Sequence, residues 1–148
     1  MKISLKGERK EIIFDLVSRK ITHAGDYWKD NWINTDIRVV LPGYTFHARE
    51  PIHINTWYIF LRGLKRLYRG DSDIAELNME SRAVLVRGQS VRSHTDTVRW
   101  LVKTTYPSEN GISMIFDFTT PSSIIRDLML CLEEVLSKFP IQGVFYPA

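Results

Sequence analysis

One cysteine, Cys131, stands among 148 residues, so no disulfide can form within the chain. That composition fits a reducing compartment. No apolar run approaches the ~20 residues that a membrane helix requires, and Met1 to Lys10 holds no apolar core of signal-peptide length. These absences predict a cytoplasmic protein with no membrane association. Surplus charge is scarce too: 20 basic against 17 acidic residues leaves a net +3. A dedicated nucleic-acid binder carries a larger, clustered excess. His23, His47, His53 and His94 never fall at a metal-ligand spacing and read as scattered surface or turn residues. Neither a Gly-x-Ser-x-Gly elbow nor a phosphate loop is present. The sequence therefore assigns no catalytic residue, no metal and no cofactor, and the chain reads as a non-enzyme.

What is present is hydrophobic patterning sufficient for one domain over residues 1–148. A chain of this length buries roughly two-thirds of its unfolded surface. Residues 2–6, 11–17, 35–41, 44–49, 74–79, 82–87, 91–106 and 112–118 read as strands, although 11–17 also admits a helix. Residues 18–25 read as loop. Pro42-Gly43 joins 35–41 to 44–49 as a hairpin, proline presetting φ and glycine taking the positive φ. Gly88-Gln89-Ser90 and Pro107 to Gly111 read as further turns. On strand 112–118, Ile112, Met114, Phe116 and Phe118 point inward.

Two stretches change to helical period. Trp57, Phe60, Leu61, Leu64, Leu67 and Tyr68 share one side of a helix over 55–69, capped by Asn55 or Thr56 and stopped by Gly70. Ile124, Ile125, Leu128, Cys131, Leu132, Val135, Leu136 and Phe139 form the stripe of a last helix. Thr120 is its expected cap, Pro121 its first residue and Pro140 its stop. Cys131 on that stripe reads as a small hydrophobe rather than a nucleophile. The expected fold is α+β: a curved, mostly antiparallel sheet of about seven strands with two amphipathic helices packed on it. No internal repeat is visible, and the tail from Ile141 is expected to pack as an irregular cap.

Three surfaces are candidates for contact. The outer face of helix 55–69 carries Arg62, Lys65, Arg66 and Arg69, with Ile59 apolar in their midst. With Arg38, Arg49, Arg82, Arg87, Arg92 and Arg99 on strands, and Tyr58 to stack on a base, it is the best argument for an RNA- or DNA-binding module. A solvated outer face is the plainer reading. Leu130 is similarly isolated on the polar side of the last helix. Both Ile59 and Leu130 are expected to be exposed. Asp71, Asp73, Glu76 and Glu80 gather without the spacing of a calcium loop. Asp26 to Trp32 packs Tyr27, Trp28 and Trp32 among charged and amide residues. It is either a binding surface or a wedge closing the sheet, with at least one tryptophan structural and with Tyr27 and Asp30 expected to be exposed.

Asp26-Tyr27-Trp28-Lys29-Asp30-Asn31-Trp32, running into Ile33 to Val39, resembles the opening block of bacterial immunity proteins of the WapI type. There a D-x-W-x-x-N-W-like segment leads into a strand. The later plan is similar: a helix here at Trp57 to Arg69, several strands, then Phe116 to Pro121 entering Ile124 to Phe139. The resemblance spans Met1 to Phe139, with the tryptophan block as its specific part. The basic balance and the long 8–25 segment depart from the family pattern. The resemblance implies a protein that binds and neutralises a cognate toxin domain, with no catalysis of its own. Tyr27, Asp30, Ile59, Arg62, Arg66 and Leu130 are the candidate partner-binding residues. Inhibitors of cationic nucleases are usually acidic, so a chain at +3 implies an acidic or neutral toxin, or contact through the Asp71–Glu80 cluster.

Overall fold

The computed structural model describes residues 1–91, 94–106 and 111–144. Its first half is a meander of β1 (Lys2–Gly7), β2 (Lys10–Arg19), β3 (Trp32–Leu41) and β4 (Tyr44–His53), with a short helix α1 (Tyr27–Asp30) before β3. Helix α2 (Ile54–Arg69) closes that half. The second half repeats the plan: β5 (Ile74–Asn78), β6 (Val84–Val91), β7 (His94–Tyr106), β8 (Ile112–Pro121), then α3 (Ser123–Ser137). The pairings between these strands are antiparallel, in the orders β1-β2-β3-β4 and β5-β6-β7-β8. The α+β antiparallel expectation holds. The sheet is, however, divided into two four-stranded sheets, because a full helix separates β4 from β5.

The sheets meet where β8 approaches β1 and β2: Lys10 Nζ donates to the Asp117 carbonyl at 2.7 Å, and Phe118 lies over Gly7. Helix α2 packs on β5, α3 on β1, and the helices on each other, so one core forms. Ile12, Phe14, Leu16, Ile37 and Val39 enter it from the first sheet, and Leu77, Val86, Trp100 and Val102 from the second. Trp57 meets Phe14 edge-on at 5.2 Å. Each such buried side chain stabilises the fold by about 1.5–3 kcal/mol.

Several boundaries differ from the sequence expectation for identifiable reasons. Strand β2 extends to Arg19, into the expected loop. Gly88-Gln89-Ser90 is strand, not turn; Gly88 sits opposite Trp100, and a Cβ there would stand 2.5 Å from the indole. Glycine at this point makes room for the tryptophan. Thr120 and Pro121 end β8 rather than start α3, since the buried Trp100 Nε1 donates to Thr120 Oγ1 at 2.8 Å. Ser122 is the N-cap. Tyr68 and Ile112 are exposed rather than inward, each lying at the end of its element beyond the reach of the opposing layer. Arg92 and the expected loop residues Pro107 to Asn110 lie outside the described residues, as do the side chain of His94 and residues 145–148.

Candidate functional site

The Asp26–Trp32 block is built inward. The Asp26 carboxylate caps α1 by accepting from the Trp28 amide at 2.7 Å. Trp32 Nε1 donates to the Trp28 carbonyl at 2.7 Å, which ties the first residue of β3 back to α1. Asn31 is fully buried. Its Nδ2 donates to the carbonyls of Tyr27 and Gln142, both at 2.7 Å, and its Oδ1 accepts from Arg19 Nη1 at 2.8 Å and the Gln142 amide at 2.9 Å. Tyr27 N donates to Val144 O, and Val144 N to Gly25 O. The tail through Val144 is thus clasped to the block by backbone bonds. Gly143 has φ 79° and no space for a Cβ against the Asp26 backbone, 2.7 Å away.

Tyr27 and Asp30, expected at the surface, are only 9% and 7% exposed. The Asp30 carboxylate accepts from the Thr22 hydroxyl and from the amides of Ala24 and Asp26, each at 3.1 Å. The Thr22 bond above all, then these amides, holds its pKa below the usual carboxylate value against the opposing effect of burial. The residue closes the 22–26 loop, and that use of its oxygens draws it inside.

His53, expected among the scattered histidines, is the hub of this region. It is buried, with the rings of Tyr27, Trp28 and Trp32 centred 5.2, 5.4 and 5.1 Å from its own. Nδ1 accepts from the Asn55 amide at 3.0 Å and so caps α2, in place of Asn55 or Thr56. The proton therefore sits on Nε2, which donates to the Tyr27 carbonyl at 3.2 Å. Burial pushes its pKa down, against the effect of the Tyr27 carbonyl and Glu80. The only sequence signal was its position directly before the first helical residue, where histidine is not among the favoured caps.

The outer helical surface is different in kind. Ile59 is 50% exposed and Leu130 55%, as expected. Ile59, Arg62 and Arg66 fall at i, i+3 and i+7 and form one stripe along α2. Lys65 Nζ reaches Glu133 at 3.1 Å and joins α2 to α3. Leu130 lies one turn from Glu133, and Arg62 one turn from Lys65. Arg69 pairs with Asp71 at 3.4 Å, whereas among the described residues Arg62 and Arg66 enter no ion pair. On the strands, Arg49 binds Asp36 at 2.7 Å, Arg87 binds Glu76 at 2.8 Å and Arg99 Nε binds Asp117 at 2.9 Å. Those three cations are matched locally by carboxylates. Tyr58 is half-buried against the core. The acidic cluster is likewise engaged: Asp71 and Glu76 in the pairs above, and Glu80 with the Thr56 hydroxyl.

Two of the surface clefts are large enough for a small molecule. One of about 590 Å3 lies between the end of α2, β6 and the start of α3, lined by Tyr68, Arg69, Ser90, Ser122 and Ser123 among others. Another, about 660 Å3, lies between Ser18–Gly25 and Gln142–Gly143. The described residues of the first include no histidine or cysteine. In the second, the Arg19 guanidinium is taken up by Asn31 and the carbonyls of Asp30 and Pro140. Cys131 is half-buried with its thiol on the Lys2 carbonyl at 3.4 Å; burial, then Glu134, raises its pKa, which disfavours the thiolate a nucleophile needs. No group of three His, Cys, Asp or Glu side chains gathers as a metal site among the described residues. Nor is any described helix long and apolar enough to cross a membrane.

The chain is thus an antiparallel α+β domain whose Asp26–Trp32 block is tied to the tail and to His53. The profile of the Immunity protein WapI-like family matches residues 3–140, and the chain belongs to that family. No curated protein matches the sequence. Two solved structures show remote similarity. MRP1/MRP2 of Trypanosoma bruciei has 12% identity and TM-score 0.44, covering 93% of this chain and 86% of that one. The CdiA-CT/CdiI toxin and immunity complex from Enterobacter cloacae has 10% identity and TM-score 0.45, covering 82% of this chain and 97% of that one.

Proposed function

We propose that this protein binds a cognate toxin domain in the cytoplasm and neutralises it by occupying its surface, without chemistry of its own. Membership of the immunity family over residues 3–140 carries this reading. The surface proposed for the contact is the outer side of α2 and α3, centred on Ile59, Arg62, Arg66 and Leu130. It combines exposed aliphatic side chains with guanidinium groups that pair with no carboxylate among the described residues, a combination suited to interface anchors. Tyr27 and Asp30 serve this contact indirectly, by fixing the loop and tail beside the start of α2.

A large secreted toxin encoded immediately upstream is expected. Coexpression of the full chain with the C-terminal domain of that toxin should yield a stable complex and relieve growth arrest. Charge reversal at Arg62 and Arg66 should weaken the complex, and added salt should weaken the unmodified one. An affinity that stays flat with salt would remove the electrostatic part of the proposal. Retention on a nucleic-acid column at physiological salt, lost on the same charge reversal, would replace it with the RNA- or DNA-binding reading.

A further inference from the structure

We propose that residues 112–116 of β8 form a dimerisation strand, pairing antiparallel with the same strand of a second copy. In an antiparallel ladder, the N–H and C=O of one residue point to the same neighbour, and successive residues alternate. The Thr105 amide donates to Ala83 O at 2.9 Å, on the β6 side. Thr105 therefore turns its backbone away from β8, and Ser113 opposite it turns its own toward the outer edge. Asp117 gives the same phase independently: its carbonyl meets Lys10 Nζ rather than β7. Ser113 and Ile115 thus present their backbone groups outward, and no hydrogen bond among the described residues reaches them.

Sheet edges elsewhere are protected. Strand β4 carries His47, Arg49 and Pro51, β5 has five residues beneath α2, and β1 lies against α3. Such charges, prolines, short strands and covers are what keep an edge from pairing. Ile112-Ser113-Met114-Ile115-Phe116 carries no charge and no proline. It presents apolar side chains to both faces, with Ile112 84% and Ile115 62% exposed. Lys10 on the Asp117 carbonyl marks where the open stretch ends. The stretch is also self-complementary. A two-fold axis at Met114 sets Ser113 opposite Ile115 of the partner copy in both directions, as hydrogen-bonded pairs, and brings no like charges together. A strand this short buries less than a permanent dimer needs, so the dimer dissociates on dilution.

Sedimentation velocity on the full chain across a dilution series tests this. The expected result is twice the chain mass of 17.3 kDa at high concentration, falling to one chain mass on dilution. Ile115→Lys places a charge on the exposed face, and Ser113→Pro removes an edge N–H that β7 does not use. Each should abolish the dimer while circular dichroism and melting temperature stay close to wild type; Ile115→Lys suffices if the proline variant does not fold. A wild type that is monomeric at its highest soluble concentration overturns the proposal. So does a dimer that survives Ile115→Lys. If instead the wild type is monomeric and Ile115→Lys abolishes toxin capture, the edge belongs to the toxin, whereas failure of toxin capture alone leaves the dimer result standing.

Discussion

The Asp26–Trp32 block and the outer stripe of α2 are both rich in the residue types that make interfaces, yet they have opposite fates. In the block, Asp26, Asp30, Asn31 and Trp32, with His53 beside them, make hydrogen bonds within the chain. On α2, the Arg62 and Arg66 side chains enter no ion pair among the described residues, and Ile59 stands in solvent. A conspicuous motif here encodes the fold, whereas the surface free to meet a partner carries no motif at all. Saturated polar groups have little left to offer a second molecule; unsaturated ones keep their full capacity.

Four variants would break or sharpen this contrast. The largest effect on stability is expected for Asn31→Ala, which removes four hydrogen bonds made from a fully buried side chain to Tyr27, Gln142 and Arg19, each worth about 0.5–1.5 kcal/mol net. A loss of about 3 kcal/mol or more should appear in urea denaturation, with a melting temperature lower by roughly 6–12 °C. A near-neutral result would mean that the block is not a structural knot. Next is Gly143→Ala, which meets both a positive φ and the Asp26 backbone and should cost about 1–3 kcal/mol. Proteolysis should show earlier release of the tail.

His53 supplies a pH signature. Its folded pKa lies below that of free histidine, so between the two values the unfolded chain binds the extra proton. Stability should therefore fall as pH drops from ~6.5 toward the folded pKa and level off below it. Asp30 adds a loss of the same sign further down, below the ordinary carboxylate range. His53→Asn, which can still cap α2, should flatten the upper part of the curve; an unchanged slope there would assign the pH dependence to another group. The smallest stability effect is expected on α2. Ile59→Asp, Arg62→Glu and Arg66→Glu together should stay within ~0.5 kcal/mol of wild type per site, yet cost at least ~2 kcal/mol in toxin affinity. Titration calorimetry would measure it, and unchanged affinity would move the contact elsewhere.

Much of the fold was legible because it follows from short-range periodicity. The Pro42-Gly43 hairpin, the alternation of Ile37, Val39 and Leu41, and the Trp57–Leu67 stripe of α2 all depend on residues a few positions apart. Gly88 was misread because its reason is Trp100, twelve residues away and directly across a strand pair. Thr120 was misread because the Trp100 indole, not the helix, claims its hydroxyl. His53 was missed because its neighbours Tyr27, Trp28 and Trp32 come from a distant segment. Of the six candidate contact residues, local pattern placed Ile59, Arg62, Arg66 and Leu130 on the surface. It failed for Tyr27 and Asp30, whose burial depends on the 22–26 loop and the tail folding over them.

The sequence by itself determined the α+β class, both long helices, the central hairpin and, through D-x-W-x-x-N-W, the family. Each is encoded in spacing along the chain. Only the tertiary structure decided that the strands divide into two sheets, that Tyr27, Trp28 and Trp32 gather around His53, and that β8 lies at the end of its sheet. Those outcomes depend on which distant groups satisfy one another's hydrogen bonds and fill one another's volume. Local spacing does not specify them.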